Sequence, residues 1–142
     1  MPGSSRFAIA VHALAVLAYL ERRGVDRVSS ALIARSASTN AVVIRTLLRS
    51  LKRAGLVEAK EGRGGGVRLC RRPGAISLAE VYAAVEGESV IARNRRPKMR
   101  ACPVSCGMHE VFPALVAEVD AAVARVLRGR TLKQIVDRFS SR

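Results

Sequence analysis

Residues 39–69 read TNAVVIRTLLRSLKRAGLVEAKEGRGGGVRL. Two periodicities meet in this stretch. Val43, Ile44, Leu47, Leu48 and Leu51 recur at helical spacing from about Ala41 to Ala54, leaving Arg45, Arg49, Lys52 and Arg53 on the remaining surface. Asn40 is a helix-capping residue type, and Gly55 is a stop. After Gly55 the pattern changes. Leu56–Ala59 and Val67–Cys70 read as short strands joined by a glycine-rich hairpin, Lys60 to Gly66.

Working outward, Arg6–Arg23 reads as a core helix, with Val11, Leu14, Leu17 and Ala18 in phase and Gly24 as its stop. A short helix follows, capped by Ser29 or Ser30. Ser36 to Asn40 is a turn. Beyond the hairpin, Ser77 and Glu80 form a capping-box pattern for a helix over about Ser77–Val85. Residues 87–108 are expected to be a basic, cysteine-containing loop. A long helix is predicted over about Glu110–Arg128, with Pro113 near its first turn, and Thr131 caps a final helix through Phe139. The expected fold is mainly α with a small β-hairpin wing: a winged helix-turn-helix plus a long C-terminal helix. The division is 1–86 for the winged unit, 87–108 for the loop as a candidate sensor, and 109–142 for the dimerisation and last helices.

Charge narrows the partner. The 142 residues carry a formal charge of +14, and residues 1–75 hold 14 basic but only 4 acidic side chains. Such an excess points to a polyanion. In a helix-turn-helix the start of the second helix faces base edges in the major groove. Those positions are Thr39, Asn40, Val42, Val43, Arg45 and Thr46. Asn suits adenine, Arg suits guanine, and Val or Thr methyls suit thymine. Ser29, Ser30, Arg49 and Lys52 are placed for phosphates. In the wing, Gly64 and Gly65 permit close backbone approach, and Arg63 suits a minor groove. A basic RNA-binding structural protein is the alternative, though the stacking aromatics of an RNA-binding sheet are absent. No phosphate loop, nucleophile elbow or H-E-x-x-H motif is present, so an enzyme is not expected. Phe7–Leu20 is apolar but too short to span a bilayer. It has no small-residue cleavage site, so the expected setting is cytoplasmic, without a membrane partner.

The segments Ser5–His12, Asn40–Arg45, Leu51–Val57, Gly62–Val67 and Ile76–Val81 together resemble the Rrf-two family of winged-helix transcription regulators, the IscR and NsrR relatives. The opening segment, Asn40–Arg45 and Cys102-Pro103-Val104 are most similar to its YwnA-like branch. The resemblance spans nearly the whole chain. It implies a repressor that binds a palindromic operator as a homodimer, its long C-terminal helix crossing the partner's. The predicted stripe for that contact is Leu115, Val119, Ala122 and Val126. Two departures stand out. Glu61 replaces the arginine that commonly precedes the first wing glycine. The loop before the long helix holds two cysteines, Cys102 and Cys106, where iron–sulfur members hold three.

Four readings of the cysteines stay open. Cys102, Cys106 and His109 have a tolerable spacing for zinc but lack a fourth ligand, and an iron–sulfur cluster also wants more thiolates. A thiol redox switch fits the basic residues upstream and the helix start downstream, with Cys70 as a further partner. The fourth reading is inert thiols. The expected resting state carries no cofactor.

Overall fold

The computed structural model describes residues 4–87, 89–92 and 94–140. Among these, α1 (Arg6–Glu21) forms the centre of the winged domain. Its Ala10, Ala13, Leu14, Leu17 and Ala18 are buried, because small residues let α3, α4 and α6 pack closely around it. The helix ends in a left-handed Gly24, with the Val25 amide returning to the Leu20 carbonyl at 3.0 Å. The Ser29 Oγ accepts the Leu32 amide at 3.2 Å and so caps α2 (Ser30–Ser36). α3 (Ala41–Arg53) buries Ile44, Leu47, Leu48 and Leu51, while Val43 is only half-buried.

β1 (Val57–Lys60) and β2 (Gly66–Leu69) pair antiparallel, with Val57 opposite Leu69 and Lys60 opposite Gly66. Val28 adds an isolated bridge to β2, exchanging hydrogen bonds of 2.9 and 2.8 Å with Val67. That approach explains Gly66. A Cβ there would lie 2.9 Å from the Val28 carbonyl oxygen, and its φ of +131° is open to glycine alone at little cost. A turn of 3-10 helix at Pro73–Ala75 leads to α4 (Leu78–Val85), where the expected capping box of Ser77 and Glu80 is formed.

Three features differ from the sequence reading. The long helix α5 spans Pro103–Arg128 and so starts seven residues before the expected Glu110. Pro103 fits the first helical turn, where amides lack intrahelical partners, and the Cys102 Sγ accepts the Ser105 amide at 3.4 Å as a cap. The loop therefore ends at Cys102, and Cys106 and His109 lie within the helix. Pro113, in consequence, sits inside α5 and not near its first turn; it lacks the amide that would bond the His109 carbonyl. Finally, α6 (Leu132–Ser140), grouped by the sequence with the long helix, packs on α1. Leu132 and Val136 are fully buried in the winged domain's core. The link is a bridge between Ser77 and Thr131, with the Leu132 amide on the Ile76 carbonyl at 3.0 Å. Among the described residues no helix is long and apolar enough to cross a membrane.

Candidate nucleic-acid interface

α3 has two faces. With 44, 47, 48 and 51 turned into the core, the helical period puts Val42, Arg45, Thr46, Arg49 and Lys52 on the solvent side, and all five are exposed. Val42 is 60 % exposed, far more than a valine held by its own fold. Val43 packs against the core, so its place among base-reading candidates is shared with a structural role. The Thr46 hydroxyl donates to the Val42 carbonyl at 3.0 Å.

Asn40 is positioned differently from the expectation of an adenine reader. Its Oδ1 accepts the amides of Val42 (2.8 Å) and Val43 (3.1 Å), which makes it the N-cap of α3. A carboxamide oxygen has two lone pairs, and both are occupied. A bidentate adenine contact needs that oxygen as an acceptor, so the cap and the base contact compete. Ser29 is likewise a cap, on α2, with its exposed side chain still at the surface, while Ser30 and Thr39 are half-buried.

The wing emerges next to α3, on which β1 packs. Arg63 and Gly64 are exposed at its tip, and Gly65 is half-buried. A Cβ at Gly65 would fall 2.3 Å from the Lys60 carbonyl oxygen, so the tip closes only with glycine. At the wing's root, Glu58 is paired with Arg68 and, at 3.4 Å, with Arg27; Arg68 also reaches Asp26 at 3.3 Å. These carboxylates fix the root, and they raise the Arg68 guanidinium further, mainly through the Glu58 hydrogen bond. Arg27 also holds the Gly66 carbonyl at 3.3 Å. The sequence reading missed this network; cross-strand Glu58 opposite Arg68 was the available signal.

On α5, Leu115 and Val126 are 47 % and 58 % exposed, and Val119 and Ala122 are half-buried. Val111, inside the predicted span, is exposed in the same phase, and the earlier helix start adds exposed Val104 and Met108. The stripe 104–108–111–115–119–122–126 repeats every eleven residues and extends about 33 Å at the helical rise. The signal for the added residues was Cys102-Pro103, a cap followed by a proline at the first helical position.

The three cysteines are free thiols in two places. Cys70 is exposed just past β2, and Cys102 and Cys106 share the start of α5. Their sulfurs differ. Cys102 accepts a backbone amide, whereas the Cys106 thiol donates toward the carbonyls of Arg100 (3.6 Å) and Met99 (3.8 Å). Both ring nitrogens of His109 lie within hydrogen-bonding distance of backbone carbonyls, Nδ1 at 2.8 Å from Ser105 and Nε2 at 3.1 Å from Arg96. A metal on His109 would displace one of these bonds. Among the described residues no three His, Cys, Asp or Glu side chains come together to hold an ion. The described residues thus do not fit a zinc ion or an iron–sulfur cluster. His12, on the apolar helix α1, is exposed and pairs with the Ser36 hydroxyl at 2.8 Å.

Helix-turn-helix, wing and long C-terminal helix together define a winged-helix protein of the transcription-regulator type. The chain belongs to the Rrf2 family, whose model, described as an iron-dependent transcriptional regulator, matches residues 3–138. It is 32 % identical over 135 residues to the HTH-type protein YwnA of Bacillus subtilis, covering 94 % of this chain and 96 % of that one. A crystal structure of a candidate DNA-binding protein is 30 % identical, with a TM-score of 0.68 over 92 % of this chain and 98 % of the other. CymR (YrzC), the global cysteine regulator of B. subtilis, shares the fold at 22 % identity, with a TM-score of 0.69 over 96 % of this chain and 97 % of its own.

Proposed function

We propose that this protein is a sequence-specific, duplex-DNA-binding transcription repressor that acts as a homodimer on a palindromic operator in the cytoplasm. The observation that carries the reading is the solvent face of α3, where Val42, Arg45, Thr46, Arg49 and Lys52 stand exposed beside a glycine-closed wing bearing Arg63. α1–α4, the wing and α6 make the reading unit, and α5 is the dimerisation arm. Arg45 and Thr46 read bases, with Val42 offering methyls to thymine; Arg49, Lys52 and Ser29 hold phosphates. The α5 stripe is an apolar surface of the kind that a self-complementary two-fold contact covers.

The test is binding to duplexes selected from a random pool. If the dimer neutralises about six to ten phosphates, affinity falls roughly 10³–10⁵-fold between 50 and 200 mM salt. Arg45→Ala changes the preferred bases at a cost of about 1–3 kcal/mol on the best site. Lys52→Ala weakens all sequences alike. A flat salt response, or uniform loss in both variants, overturns the reading.

A thiol redox response is the sensing mode that the cysteine geometry favours. Cys102 is the extended N-cap of α5 and Cys106 is the helix's fourth residue, its amide on the Cys102 carbonyl at 3.0 Å. A disulfide, which brings Cβ atoms to about 3.5–4.5 Å, would take the Cys102 sulfur off the Ser105 amide and so remove the cap of the dimerisation helix, which is the route by which oxidation would reach the DNA-binding form.

A further inference from the structure

α5 meets the winged domain chiefly through α4, and between the two helices, beside Gly87 and residues 89–92, lies a cleft of about 490 Å³. Ala79, Ala83, Val123 and Leu127 supply an apolar floor, and Tyr82 and Asp120 are, with Ser89 and Arg95, its polar lining. The volume falls within the range of small-molecule sites. The Tyr82 ring is held by an edge-on contact with Phe7, with centroids 5.3 Å apart. The Asp120 Oδ1 accepts the Val90 amide at 3.1 Å, and a carboxylate has further lone pairs to offer. Burial, then the charges of Glu86 and Asp120, push the Tyr82 phenol above its ordinary range. Arg95, which also lines the cleft, has an interaction of its own.

We propose that this cleft is an effector site for a small primary amine with an apolar body, its ammonium held between the Asp120 carboxylate and the Tyr82 ring. A carboxylate ligand would meet Asp120 as a like charge, and a neutral one would bring it no counter-charge. An ammonium satisfies the carboxylate and suits the aromatic face, while the alkyl part covers the alanine and valine floor. The site lies where α5 joins the winged domain, so filling it shifts the angle between them. Half-sites lie about one DNA turn apart, which makes operator affinity sensitive to that angle. This consequence rests on the DNA-binding reading above; amine binding itself does not.

The full-length protein is titrated with isoamylamine, isoamyl alcohol and 4-methylvalerate at matched ionic strength, and followed by thermal shift and calorimetry. Isoamylamine alone raises Tm saturably, as a ligand selective for the folded state must. Asp120→Asn, which retains an oxygen for the Val90 amide, weakens amine binding at least tenfold without lowering the ligand-free Tm. If that variant does not fold, Ala83→Leu, which fills the cleft from an exposed position, serves in its place and also abolishes binding. An equal response to the alcohol or the acid, an unchanged affinity in either folded variant, or no response to any probe overturns the site. In the second arm, saturating amine changes the Kd for the selected duplex at least threefold in the wild type and not in the variant. An unchanged Kd with amine binding intact overturns the coupling alone. Absence of duplex binding with or without amine refutes the DNA reading and leaves the site standing.

Discussion

Replacing Asn40 separates two jobs that sequence alone assigns to one side chain. Its Oδ1 caps α3 through the Val42 and Val43 amides at 2.8 and 3.1 Å. Asn40→Ala leaves both amides without that partner and costs about 1 kcal/mol, within the roughly 0.5–2 kcal/mol of capping residues. For a chain of this size that lowers Tm by about 3–5 °C. Asn40→Ser restores a comparable cap and keeps Tm within about 1–2 °C of the wild type. Were Asn40 instead pairing bidentately with adenine, the serine variant would lose about 1–3 kcal/mol of discrimination, or roughly 5- to 150-fold, at one A·T position. The assay pairs thermal unfolding with fluorescence anisotropy on the selected duplex and on duplexes changed at one base pair each. The capping geometry predicts that Asn40→Ser preserves every ratio of affinities to within about twofold. A serine variant of unchanged Tm that loses tenfold discrimination at a single A·T pair refutes this assignment.

Light scattering at low micromolar concentration gives about twice 15.2 kDa for the wild type, whereas Leu115→Asp combined with Val119→Asp gives a folded monomer that no longer holds the operator; a wild-type monomer refutes the dimer. The Glu80 carboxyl is held below the ordinary glutamate range, first by the Arg71 guanidinium at 2.8 Å and then by the Ser77 amide. A depressed folded pKa stabilises above the unfolded value, about 4.3, and that contribution is lost as pH falls through the lower folded value. Acid unfolding below about pH 4 is thus less steep in Glu80→Gln than in the wild type; identical acid limbs refute it. Peroxide takes two electrons from the Cys102 and Cys106 thiols, forming one S–S bond and two waters. Mass spectrometry then shows a loss of two hydrogens on that peptide, helicity falls slightly, and duplex affinity drops; Cys102→Ser and Cys106→Ser proteins that retain the full oxidant response rule the switch out.

Much of this architecture is legible locally. The core stripe of α3 and its caps, the stop at Gly55 and the change of period into the wing all depend on residues within four positions of one another. So does the Ser77–Glu80 box. Backbone hydrogen bonding and helical phase act over that range, and sequence spacing records them directly. The base-reading candidates followed because whichever residues alternate with a buried stripe must face solvent.

Tertiary structure decided the rest. Nothing local brings Thr131 to Ser77 or buries Leu132 and Val136 beneath α1; that placement depends on where the chain returns after a 26-residue helix. The start of α5 was settled by a thiol acting as a cap, which the usual hydroxyl and carboxylate cap preferences do not register. Asn40 shows the finer limit. Its residue type suits both a helix cap and an adenine, and only the direction of Oδ1 separates them. Likewise the cleft between Tyr82 and Asp120 joins groups 38 positions apart in sequence. Helix packing brings them together, because burying the apolar faces of α4 and α5 against each other leaves their polar neighbours facing one shared space.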